Sequence, residues 1–81
     1  MELYSTMNLY QARSHSLLKL LDISGGWRIR RSLNQLGIHA GDHVHVLRKA
    51  PFGGPVVVRS RGGEVAIGRQ LAEKLKVQVI P

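Results

Sequence analysis

Residues 43–67 read His43-Val44-His45-Val46-Leu47-Arg48-Lys49, then Ala50-Pro51-Phe52-Gly53-Gly54-Pro55, then Val56-Val57-Val58-Arg59-Ser60-Arg61, Gly62-Gly63 and Glu64-Val65-Ala66-Ile67. The first segment alternates. Val44 and Val46 share one face and His43 and His45 the other, which is the period of a half-buried strand. Val56 to Arg61 is β-branched and suits a second strand. Gly62-Gly63 signals a two-residue hairpin, and Val65 and Ile67 share a face of a third strand. The connection at 50–55 is too rich in Gly and Pro for a helix. Three short strands in succession make an antiparallel meander.

Reading outward, Ser16 to Ile23 forms a further strand. Leu17, Lys19, Leu21 and Ile23 are one alternating set, and Leu18, Leu20 and Asp22 the other. Ser24-Gly25-Gly26 ends it. Gly26 to Gly37 reads as a helix, with Ile29, Leu33 and Leu36 at i, i+4 and i+7. Trp27 is expected near the same core. Gly37 stands where a helix stops in the left-handed conformation, and Ile38 follows to pack back onto the last turn. His39-Ala40-Gly41-Asp42 is a turn. On the C-terminal side, Gly68 to Leu75 gives one or two helical turns with Leu71 and Leu75 inward. Lys76-Val77-Gln78-Val79-Ile80 alternates again as a last strand. Residues 1–15 are polar and mixed. Leu3, Met7 and Tyr10 have near-helical spacing, and a short helix, a docked arm and a frayed tail all fit. Tyr4 and Tyr10 either anchor a partner or cover an open end of the fold. The expectation is an N-terminal arm or short helix over residues 1–15 and one domain over 16–81. That domain is all-β, a small SH3-like barrel of about five strands with one or two short helices.

Composition narrows the function. Eighty-one residues make one thin-cored domain. There is no cysteine, so disulfides and thiolate metal sites are excluded. No apolar run approaches the ~20 residues of a membrane helix. Met1 to Thr6 lacks the pattern of a secretory signal, so a cytoplasmic protein is expected. The acids Glu2, Asp22, Asp42, Glu64 and Glu73 are scattered, without the spacing of a general acid and base pair. Neither Gly25-Gly26 nor Gly53-Gly54 has phosphate-loop spacing. A non-enzymatic binding module without cofactor is the expectation.

Three features carry candidate chemistry. Pro51-Phe52-Gly53-Gly54-Pro55 is stiff at both ends and lets the backbone approach closely in the middle. Its Phe52 either anchors a partner or caps the barrel. His43 and His45 put two imidazoles on one strand face near His39; without a carboxylate cluster they are only weak metal candidates, a solvent-facing polar strand accounts for them, and no metal site is expected. Twelve Lys and Arg against five Asp and Glu give a net charge of +7. The set includes Arg28, Arg30, Arg31, Arg48, Lys49, Arg59, Arg61, Arg69, Lys74 and Lys76. It suits nucleic-acid phosphates, an acidic partner or anionic lipid headgroups. Much of it also serves solubility.

Taken in order, these segments resemble the ferrous iron transport protein A (FeoA) family. Gly25-Gly26 to Leu36-Gly37-Ile38 is similar to its "GG…R-L-x-x-L-G-I" segment, and Ala40-Gly41-Asp42-His43-Val44-His45-Val46 to its "P-G-x-x-V-x-V" strand. Ala50 to Pro55 is similar to its "A-P-x-G-G-P" loop, and Val65-Ala66-Ile67-Gly68-Arg69-Gln70-Leu71-Ala72 to "I-A-L-G-R-x-x-A". Residues 1–15 lack the family's usual lead-in, and Ala40 stands where Pro is common. The resemblance implies an accessory or regulatory protein of ferrous iron uptake. It would dock to the cytosolic part of a large, G-domain-containing (FeoB-like) Fe(II) permease and be peripheral to the membrane through that partner. The surface expected to dock comprises Leu36, Gly37, Pro51, Phe52, Gly53, Gly54, Pro55 and Arg69. The alternative is an SH3-like RNA- or ribosome-binding module, since Gly41-Asp42-x-Val44-x-Val46 occurs in such barrels too.

Overall fold

A computed structural model describes residues 6–61 and 63–80. The strands are β1 (Thr6–Asn8), β2 (Leu17–Ile23), β3 (His43–Lys49), β4 (Val56–Ser60), β5 (Gly63–Ile67) and β6 (Leu75–Val79). Two helices interrupt them, α1 (Gly26–Gln35) and α2 (Arg69–Ala72), and a single 3-10 turn spans Leu9–Gln11. All strands join one antiparallel sheet in the order β1-β6-β2-β3-β4-β5.

One face of that sheet supplies most of the core. Leu18, Leu20, Val44, Val46, Val56, Val58, Ile67 and Val77 are buried together. The helices are too short to cover so many apolar side chains. The sheet therefore curls over its own inner face, the SH3-like barrel that the strand pattern predicted. Alternation runs as expected in β3, with Val44 and Val46 inward and His43 exposed. In β2 it breaks. A bulge between Leu20 and Asp22 shifts the register, so Leu20 and Ile23 are both buried although three positions apart.

The N-terminal segment adds a sixth strand to the five expected. Thr6, Met7 and Asn8 pair with Gln78, Val77 and Lys76. The chain then turns through Leu9–Gln11, where Asn8 and Gln11 exchange backbone-to-side-chain bonds of 3.1 Å in a capping box. This turn delivers Leu9 and Ala12 to the core. The near-helical spacing of Met7 and Tyr10 thus comes from a strand followed by a tight turn. Leu3 and Tyr4 lie outside the described residues.

Helix α1 ends as its sequence dictates. Gly37 has φ +87°, its N–H donates to the Asn34 carbonyl (3.0 Å), and the Ile38 N–H donates to the Leu33 carbonyl (2.9 Å). That is a Schellman stop, with Ile38 buried beneath it. The helix itself touches the core narrowly, through buried Leu33 and half-buried Ile29. Trp27, expected near the core, is 66% exposed. At 100° per residue it stands roughly 160° around the helix from Ile29. Leu36 is 46% exposed, because it is the cap residue, past the turn that faces the sheet. The β4–β5 connection also differs by one position. Ser60 pairs with Gly63, so Gly63 begins β5 and is not part of the turn.

Candidate functional site

The Gly- and Pro-rich connection becomes the tip of the β3–β4 hairpin. Ala50 donates to the Pro55 carbonyl (2.9 Å), and Gly54 donates to the Pro51 carbonyl (3.2 Å). Residues 51–54 are therefore a tight turn whose central residues, Phe52 (φ +58°) and Gly53 (φ +74°), both lie in the left-handed region. Such primed turns match the twist of the flanking strands. Gly54 is required on steric grounds, since a Cβ there would sit 2.6 Å from the Ala50 Cβ. Phe52 has no such freedom and holds a conformation that costs an L-residue about 1–2 kcal/mol. It is also fully exposed, so the reading in which it caps the barrel is excluded. The structure displays a large aromatic side chain at the end of a short, closed turn.

The base of this tip is braced from two other elements. The Arg69 guanidinium, at the start of α2, lies 5.0 Å from the centre of the Tyr10 ring, and the Lys49 ammonium lies 4.9 Å from the same ring. Both distances fall within cation–π range. Lys49 Nζ also donates to the Tyr10 carbonyl at 2.6 Å. A Cβ on Gly53 would stand 3.2 Å from an Arg69 guanidinium nitrogen, so Arg69 runs directly beside the turn. Its Nε lies 3.4 Å from a Glu73 carboxylate oxygen. Tyr10 itself packs on the core. One ring thus joins the 3-10 turn, the end of β3 and the start of α2 beneath the loop.

Of the residues expected to dock, the structure brings Pro51, Phe52, Gly53, Gly54 and Pro55 together with Arg69. Leu36 and Gly37 belong to the far end of α1, and among the described residues no hydrogen bond or ring contact links them to the hairpin tip. Sequence reasoning missed the bracing role of Tyr10 and Lys49. Lys49 and Tyr10 are 39 positions apart, and no local pattern announces their meeting.

His43 and His45 sit elsewhere, on the outward face of β3. His45 pairs across strands with Leu17 on one side and Arg59 on the other. They line a groove of about 570 Å³ with Leu17, Arg59, Arg61 and Ile80. Among the described residues, no three His, Cys, Asp or Glu side chains gather as a metal set. Nearby Asp42 is buried and engaged in its own turn. One oxygen accepts the His39 N–H at 2.9 Å, and the other lies 3.7 Å from Arg61 Nε.

Comparison with known proteins agrees with this architecture. Residues 7–79 match the model of the FeoA domain. A putative Fe(2+) transport protein A of Methanocaldococcus jannaschii is 36% identical over 56 residues, which are 69% of this chain and 66% of that protein. The match thus spans slightly less than two thirds of that relative's length. A crystal structure of an iron uptake regulatory protein (FeoA) superposes with a TM-score of 0.84 at 25% identity, covering 94% of this chain and 99% of that one. The solution structure of a FeoA-like protein from Clostridium acetobutylicum gives 0.84 at 26% identity, covering 94% and 88%. With the family model spanning nearly all of the described sheet and both helices, this chain belongs to the FeoA family.

Proposed function

We propose that this chain is a cytoplasmic, non-enzymatic accessory protein of ferrous iron uptake that works by docking to the cytosolic part of a Fe(II) permease. The docking element is the β3–β4 tip. The observation that carries this reading is Phe52. An exposed aromatic gains nothing from the core, and its left-handed backbone costs stability. A partner's pocket supplies the missing burial, as buried aromatic anchors do at interface centres. The brace formed by Tyr10, Lys49 and Arg69 limits the motion of the tip and so lowers the entropy lost on binding. The absence of any helix long and apolar enough to cross a membrane among the described residues fits a protein that reaches the membrane through another.

The test is affinity for the purified cytosolic part of the permease. Phe52→Ala is expected to weaken binding about 30-fold, the size of a ~2 kcal/mol hot spot. Arg69→Ala loosens the brace and is expected to weaken it less. Unchanged affinity in both variants, with unchanged melting curves, would remove the tip from the interface.

A further inference from the structure

Helix α1 presents a second, separate surface. Its sequence, Gly26-Trp27-Arg28-Ile29-Arg30-Arg31-Ser32-Leu33-Asn34-Gln35, carries three arginines and no acid. Only Leu33 is fully buried, so most of the helix circumference faces outward. At 100° per residue, Trp27, Arg31 and Gln35 share the centre of that outer face. Arg30 flanks them on one side and Arg28 on the other. Among the described residues these three arginines make no ion pair with an acid. The Arg31 guanidinium instead lies 5.2 Å from the Trp27 ring centre. Trp27, Arg30, Arg31, Asn34 and Gln35 line a shallow depression of about 360 Å³.

We propose that this face of α1 rests on an anionic lipid headgroup layer, with Trp27 at headgroup level and Arg28, Arg30 and Arg31 against lipid phosphates. The chemistry is complementary at each point. An indole has an apolar body and a polar N–H, which is why Trp concentrates at membrane–water boundaries. Arginine is a fork of donors that matches phosphate oxygens. A cluster of arginines is drawn to the negative surface of an anionic leaflet. A nucleic acid fits the face less well. Single strands are held by several aromatic platforms in succession. Among the described residues Trp27 stands alone on this face, with Arg31 over one of its ring faces, and Phe52 and Tyr10 belong to the hairpin site. The membrane contact stands on residues different from those of the permease reading, so either can fail without the other.

Trp27 is the sole tryptophan of the chain, so its emission reports directly on this surface. The full chain is mixed with vesicles of phosphatidylcholine alone, or of phosphatidylcholine with phosphatidylglycerol. The expected result is a blue shift and co-sedimentation with the anionic vesicles only, both reversed by added salt. Arg30→Gln with Arg31→Gln is expected to lower vesicle partitioning about 25-fold, some fivefold per charge. These exposed positions leave the fold intact, which far-ultraviolet circular dichroism checks. Equal emission with both vesicle types, or unchanged partitioning of the double variant, would overturn the proposal. So would single-stranded RNA that binds more tightly than vesicles at the same salt, which would assign the face to nucleic acid.

Discussion

Replacing Phe52 by Asn separates stability from function at one position. Phe52 occupies the first central position of a turn in which both central residues have positive φ, with Gly53 second. Asn-Gly is the pair such a turn favours, because Asn tolerates the left-handed region and its short side chain bonds locally. The Phe penalty there is about 1–2 kcal/mol, and Asn removes roughly half or more of it. The substitution forfeits no burial, because the Phe52 side chain is fully exposed. The expected net effect is a gain of about 0.5–1.5 kcal/mol. For a chain of this size, ~1 kcal/mol moves the melting temperature by about 4–8 °C. A thermal melt followed by circular dichroism, with a urea titration to check that the slope is unchanged, measures it. A lower melting temperature would refute the reasoning. It would mean that Phe52 is buried in the folded protein in solution, against its own chain or a second copy. A higher melting temperature with weakened permease binding would show an aromatic kept at the tip at the expense of stability.

Two further predictions concern the fold. Gly37→Ala places a Cβ at φ +87° in open space, so the cost is conformational, about 1 kcal/mol, read as a fall in the urea midpoint without a change of slope. Ser60→Ala is expected to be neutral or stabilising by up to about 1 kcal/mol in the same titration, because the buried Ser60 hydroxyl oxygen has no hydrogen-bond partner among the described residues.

The legible parts of this protein are those decided within a few residues. Gly37 and Ile38 announce the end of α1 because a helix stop is local chemistry. Val44 and Val46 announce the inner face of β3 because alternation is local geometry. The turn at 51–54 is legible for the same reason. Where tertiary packing decides, the reading slips. Ile23 turns inward only because the chain bulges near Leu21. Trp27 is large and apolar, yet the helix stands on Leu33 and carries the indole outward. The strand at Thr6–Asn8 exists because β6 offers it an edge, not because three residues prefer to be extended. In the site, the loop is visible in the sequence and its brace is not. Tyr10, Lys49 and Arg69 come from three elements that meet only in the folded barrel.

The position of β6 has a consequence for the order of assembly. Val77 faces Met7 on one side and Leu20 on the other. Of the described strands, the last in sequence is the wedge that fits between the first two. Before residues 75–79 emerge, β2 to β5 can form a meander, but β2 has a bare edge and β1 has no neighbour. The pairing of β1 with β6 closes the longest loop in the sheet, and so carries the largest entropic cost. The sheet is thus completed from its C-terminal end, and the N-terminal strand, with the turn that brings Tyr10 under the hairpin tip, is seated only after that wedge is in place.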